Sequence, residues 1–196
     1  MEDFASARCY VLTRLAQELP ANLYYHGLHH TRDDVLPAAE RLGKLAGLDD
    51  EDFAILQAAA LYHELGFVEQ ETHHEAIGAR IAGETLPGFG YSASQIEAVQ
   101  ALILATKMPQ APQTFLEQLL CDADLDSLGR DDYLKTSHDL RAELAVRGPL
   151  IPLKAWYERQ RKFLSGHTYF TLVARELRRA KKLENVALLD SLIEGM

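Results

Sequence analysis

An all-α fold is predicted for this 196-residue chain, on three observations. Apolar residues recur at helical spacing along most of its length, and no run alternates apolar and polar in the manner of a strand. Glycine and proline punctuate the periodic stretches at helix-length intervals. The length suits one domain with a sizeable core, spanning 1–196. The elements follow in order. Residues 4–19 set Phe4, Val11, Leu12, Leu15 and Leu19 on one side, and Pro20 ends the run. Thr31 is the expected N-cap of a helix reaching about Ala46, with Asp34 at the capping-box position and Gly47 closing it. Asp33 and Asp34 suit the positive end of that helix. Acidic "LDDEDF" opens the next helix, whose face runs Phe53, Leu56, Ala60 and His63, with Gly66 as its stop. "HHEAIGARIAGETL" predicts another, ended by the "PGFGYS" loop. "SQIEAVQALILATK" begins with Ser94 three residues before Glu97, a capping-box signature. "TFLEQLLCDADLDSLG" supplies a further helix stopped at Gly129. A charged helix at about 131–147 and the turn "RGPLIPL" come next. Long helices then run from about Pro152 to Phe163 and from about Tyr169 to Leu192.

Composition bounds the function classes. Apolar residues make up 47% and charged residues 25%, ordinary for a globular domain. No segment approaches the roughly 20 apolar residues of a membrane span. "MEDFASARCY" lacks the layout of a signal peptide, and Cys9 and Cys121 are too few for a disulfide framework. A cytoplasmic location is the default expectation. The net charge of −9 argues against general nucleic-acid binding. The charge is uneven, however: residues 154–182 carry nine Lys/Arg against two acids, Glu158 and Glu176. That stretch is either a solvated helix face or a surface that meets a phosphorylated substrate.

Three segments can carry chemistry. "LYYHGLHHTRDDV" (23–35) concentrates His26, His29 and His30 before an acidic helix start. "HE" at 63–64 ends a strongly apolar helix, where a charge is costly unless paired or bound. "CDADLDSLG" (121–129) places three acids after an apolar run, with Asp122 and Asp126 on one face and Asp124 on another. Taken singly, each has an ordinary explanation in water-facing or helix-capping residues. Together, imidazole nitrogens and carboxylate oxygens make a donor set for a divalent transition metal, which helices of a bundle can bring to one point.

In that order the segments resemble the HD-domain superfamily of metal-dependent phosphohydrolases, named for a His, a His–Asp pair and a distant Asp. The resemblance covers about residues 22–130 and implies a compact helical bundle of that type, with residues 131–196 packing on or extending the core. It implies His30, His63, Glu64 and Asp124 as ligands of one divalent ion (manganese, iron, nickel, zinc or magnesium), with Asp122 as the alternative to Asp124. Glu64 departs from the family's aspartate by one methylene. "YHGLHHT" resembles the cyclic-nucleotide phosphodiesterase segment, which implies His26 as general acid, although Gly27 stands where those enzymes carry asparagine. Imidazole suits that role because its ordinary pKa lies near neutrality. His74 is a further catalytic candidate, with Glu75 beside it. Thr106 stands where a two-metal member would carry another histidine, so one metal is expected.

Arg32, Lys107 and Arg159 are the substrate-binding candidates, since cations hold phosphate by charge and, for arginine, by paired hydrogen bonds. Arg161, Lys162 and His167 lie in the same basic segment as Arg159. The expected function is hydrolysis of a small phosphomonoester or phosphodiester, nucleotides included, by metal-activated water. The rivals are a catalytically weak or inactive HD-fold regulatory or nucleotide-binding module, and a di-iron HD-type oxygenase. The latter needs two irons and more histidines than the sequence places. Amphipathic terminal helices suit either a homodimer contact or completion of the core. Cys121 reads as a small core residue, and no G-x-x-x-x-G-K loop occurs.

Overall fold

The computed structural model describes residues 2–196, and no strand occurs among them. The all-α expectation holds, as a compact helical bundle. Helix α1 (Phe4–Glu18) starts where Asp3 accepts from the Ser6 amide. The chain re-enters helix at residue 28, and His30–Val35 form a wide π turn that runs directly into α2 (Leu36–Ala46). Thr31 is therefore not an N-cap. It is buried inside the run, and its carbonyl accepts from the Leu36 amide five residues on. Such a turn inserts a residue into the helix and recurs at functional sites. Gly47, at φ 71°, closes α2 in the left-handed conformation that glycine adopts without cost.

Helix α3 (Asp50–Tyr62), capped by Asp49, is the central element. Ile55, Leu56, Ala58, Ala59, Ala60, Leu61 and Tyr62 are all buried, so the helix is apolar all round and must be surrounded. It packs against α1, α2, α5 (Ala93–Ala105) and α6 (Phe115–Asp124). It ends at Tyr62 rather than at Gly66, which places His63 and Glu64 in the turn that leads to a 3-10 turn at Leu65–Val68. Gly66 has a different task from stopping the helix. A Cβ there would lie 2.0 Å from the His74 carbonyl oxygen, so glycine alone lets this turn touch the start of α4 (His74–Thr85).

The capping box of α5 is Ser92 with Gln95, two residues before the expected Ser94 and Glu97. Ser94 lies inside the first turn, where its hydroxyl meets Ser92. Thr114 and Glu117 box α6. That helix breaks after Asp124 into a 3-10 turn at Asp126–Gly129, and α7 (Tyr133–Ala145), α8 (Leu153–Gly166) and α9 (Leu172–Glu194) follow. The last helix starts later than Tyr169 because the Phe170 and Thr171 amides are engaged by Asp122.

Two hydrophobic clusters result. The larger joins α1 to α6, and the smaller gathers Leu128, Tyr133, Trp156, Tyr157, Leu164 and Leu189 from the C-terminal helices. Each fully buried large aliphatic side chain contributes roughly 1.5–3 kcal/mol of burial free energy. No helix among the described residues is long and apolar enough to cross a membrane.

Candidate metal centre

Three of the expected ligands meet. His30 comes from the π turn, His63 from the end of α3 and Asp124 from the last position of α6. One ligand atom of each lies within 4.8 Å of the others. His30 Nε2 is 3.2 Å from Asp124 Oδ1, and His63 Nε2 is 3.6 Å from the same oxygen. Donors bound to one ion at about 2.0–2.2 Å stand roughly 3–4 Å apart, so the spacing suits a shared cation. The donor chemistry agrees. The Ala60 carbonyl, 2.8 Å from His63 Nδ1, can only accept, so Nδ1 carries the proton and Nε2 presents its lone pair. That Nε2 is buried and has no hydrogen-bond partner.

Burial works against ionisation of Asp124, but the hydrogen bond from His30 and the proximity of His63 outweigh it and hold the carboxyl well below its usual range. For His63 the order is the same: burial disfavours the charge, and Asp124 and Glu64 raise the imidazole above its ordinary value. The other oxygen of Asp124 accepts from Gln110 at 3.2 Å. Glu64 stands to one side of the triad. Its Oε1 is 3.6 Å from both His63 Nε2 and His74 Nε2, while its Oε2 is buried without a partner.

The three acids of "CDADLDSLG" separate cleanly. Asp122 accepts from the Phe170 and Thr171 amides and the Thr171 hydroxyl, tying α6 to the start of α9. Asp126 pairs with Arg41 and Arg178. Only Asp124 is left for the centre. Cys121 is buried, donates to the Ala105 carbonyl, and has its thiol pushed up by burial, as suits a core residue.

A cavity of about 380 Å³ opens beside the triad. Its polar end is formed by His26, Glu64, His74, Glu75 and Asp124, and its far wall includes Leu140, Arg159 and Phe163 from the C-terminal helices. His26 Nδ1 donates to Glu143 Oε1 at 2.5 Å, which leaves Nε2 as the free ring nitrogen. Glu143 Oε2 also accepts from the Tyr25 and His26 amides, at 2.8 and 3.0 Å. Burial opposes charge on His26, but Glu64 and Glu143 prevail and raise it; in return His26 lowers Glu143 against the effect of burial. The Phe67 ring packs against both imidazoles, its centroid 5.0 Å from His26 and 4.1 Å from His74. His74 Nδ1 donates to the Glu71 carbonyl.

Of the expected phosphate-binding cations, Arg159 lines the cavity, its guanidinium carbon 5.7 Å from the Trp156 ring centroid. Arg32 does not reach it. It is exposed and held by both oxygens of Asp33, its immediate neighbour. Lys107 is exposed just beyond α5 and is not part of the wall, although Thr106 and Met108 on either side of it are. Sequence reasoning missed Glu143. It lies 117 positions from His26, and in "HDLRAELAVR" it has the spacing of an ordinary surface ion pair with Arg147.

The fold and the site together define an all-α protein with a His–His–Asp cluster, its two histidines buried, that could hold a metal ion. No family model matches the chain, and no curated protein or solved structure shows significant similarity to it.

Proposed function

We propose that the protein is an HD-type phosphohydrolase that uses one divalent metal ion against a small phosphomonoester or phosphodiester, nucleotides included. The observation that carries this reading is the His63 Nε2 lone pair, buried without a partner where His30 and Asp124 converge. His30, His63 and Asp124 would hold the ion, with Glu64 at its margin. When bound, such an ion acidifies water and polarises a phosphoryl oxygen. The chain's own groups supply the rest. His26, fixed through Nδ1 by Glu143, offers Nε2–H to the departing oxygen. Arg159 on the far wall meets the phosphate, and the apolar lining of Leu140 and Phe163 excludes water around it. His74 and Glu75 border the same space and orient the attacking water.

The test is metal analysis of protein purified without chelator, then turnover of a nucleotide and phosphoester panel with manganese, iron(II), nickel, zinc and magnesium. Near-stoichiometric metal and hydrolysis that fall together in His63→Ala are expected. Absence of metal-dependent turnover, or equal turnover by His63→Ala, removes the hydrolase reading.

One observation favours a second reading. Glu64 shares its Oε1 equally between His63 Nε2 and His74 Nε2, at 3.6 Å each, and falls outside the set of ligand atoms that converge, which suits a module that binds a nucleotide without turning it over. Calorimetry showing saturable nucleotide binding in the absence of hydrolysis supports that alternative.

A further inference from the structure

Helix α9 carries two kinds of cation. Arg178 is paired with Asp126, and Lys181 with Asp131 and Glu184. Arg175, Arg179 and Lys182 recur at helical spacing on a neighbouring face, and none forms an ion pair with a carboxylate of the described residues. They line a cleft of about 540 Å³ between the end of α8 and the middle of α9, together with Ser165, His167 and Thr168. No acid contributes to its wall, in a chain whose net charge is −9.

Lys182 is the telling member. It is 7% exposed, and its ammonium reaches the His167 carbonyl, His167 Nδ1 at 3.3 Å and the face of the Tyr169 ring, whose centroid is 5.5 Å away, but no carboxylate. Neutral acceptors do not neutralise a buried charge, which is costly unless a counter-charge is supplied. The contact also sets the tautomer of His167. An ammonium has no lone pair, so Nδ1 must accept and the hydrogen resides on Nε2. That Nε2 is buried and has no acceptor among the described residues. Arg175 spends its Nε on the Tyr169 carbonyl, leaving the outer guanidinium nitrogens without an assigned acceptor.

We propose that this cleft is a second binding site, separate from the metal cavity, for the phosphate group of a free anion or a small phosphorylated molecule. Two guanidinium groups, an ammonium and the hydroxyls of Ser165 and Thr168 are the donors that a tetrahedral dianion accepts from. Burial and Lys182 hold the His167 imidazole down at about 4, in the neutral donor form this requires near neutral pH. The inference does not depend on the hydrolase reading, since none of these residues touches the triad.

Inorganic phosphate and adenosine monophosphate, each titrated calorimetrically into the full-length protein, test it. Saturable binding is expected in wild type, and one binding event is expected to remain in the double variant His63→Ala/Arg159→Ala, in which the metal cavity no longer holds phosphate. Arg179→Ala, at an exposed position, and Arg175→Ala, which also gives up the bond to the Tyr169 carbonyl and is therefore checked for folding by circular dichroism, should each weaken it by about tenfold or more, as loss of a charge-assisted hydrogen bond does. Lys182→Met, checked for folding by circular dichroism, should do the same. Binding of phosphate alone, or tighter binding of the nucleotide, each supports the site and distinguishes its two sources. The proposal is overturned if neither probe binds, if binding persists undiminished in the Arg175 and Arg179 variants, or if it disappears in the double variant and so belongs to the cavity. It is also overturned if the arginine variants dissociate a dimer without affecting phosphate, because the counter-charge then comes from a second copy.

Discussion

Glu143 has no exposed side-chain surface, yet it accepts from one imidazole and two backbone amides. A buried acceptor with three donors cannot be removed cheaply: Glu143→Ala strands those donors and is expected to lower stability by about 2–4 kcal/mol in chemical denaturation. Glu143→Gln keeps an acceptor and removes the charge, so it separates folding from chemistry. His26 is raised above its ordinary value with Glu143 contributing, and its protonated form therefore persists to higher pH than in the unfolded chain. If Nε2–H of His26 is the acid, the rate falls as pH rises through that raised value. In Glu143→Gln the fall should begin at lower pH, with metal content unchanged and kcat reduced by about 10- to 100-fold. A pH–rate profile of the two proteins checks both the sign and the residue. Legibility at this scale was selective. His30, His63 and Asp124 are conspicuous because polar side chains follow or interrupt apolar runs. Glu143 is not, because its flanks are those of any surface helix and its partner lies on a distant segment. Arg32 was misleading for the opposite reason: it adjoins the motif in sequence and turns to its own neighbour, Asp33.

At the scale of elements, glycine sets how closely the site can close. Gly66→Ala would bring a Cβ within 2.0 Å of a backbone oxygen, an obstruction that no rotamer relieves. Gly78→Ala would meet the Tyr62 carbonyl at 3.0 Å, which a small shift relieves. Thermal denaturation should therefore show a large loss for the first, about 3 kcal/mol or more, and a smaller one for the second. The α5 cap gives a finer comparison. Ser92→Ala should cost about 1 kcal/mol, whereas Ser94→Ala should stay within about 0.5 kcal/mol, because only Ser92 accepts from the Gln95 amide. Helix existence and order were legible from periodicity. Exact starts were not, because two serines of one loop can each cap a helix and backbone direction decides between them. The π turn was illegible for a related reason: "TRDD" satisfies a capping-box pattern, and only packing of His30, Thr31 and Val35 into the core shows that the helix has already begun.

Across the whole molecule, the cavity lies along the junction of two hydrophobic clusters, with the triad on one side and α7 and α8 on the other. Acid should loosen the C-terminal side through His167. Its native value of about 4 lies below the roughly 6.5 of an unfolded histidine, so the unfolded chain binds the proton first. The stabilising contribution is complete above about pH 6.5 and is lost as pH falls toward 4, by on the order of 1 kcal/mol after allowance for solvent screening. Melting curves from pH 7 to pH 4.5 should show a steeper decline in wild type than in His167→Gln. The same division has an optical consequence. The chain's single tryptophan, Trp156, is fully enclosed in the smaller cluster and donates through Nε1 to the Ser137 hydroxyl. Its fluorescence therefore witnesses one half of the protein only. Any denaturant titration that reads emission alongside helical ellipticity doubles as a probe of whether the two halves part company before the whole chain unravels.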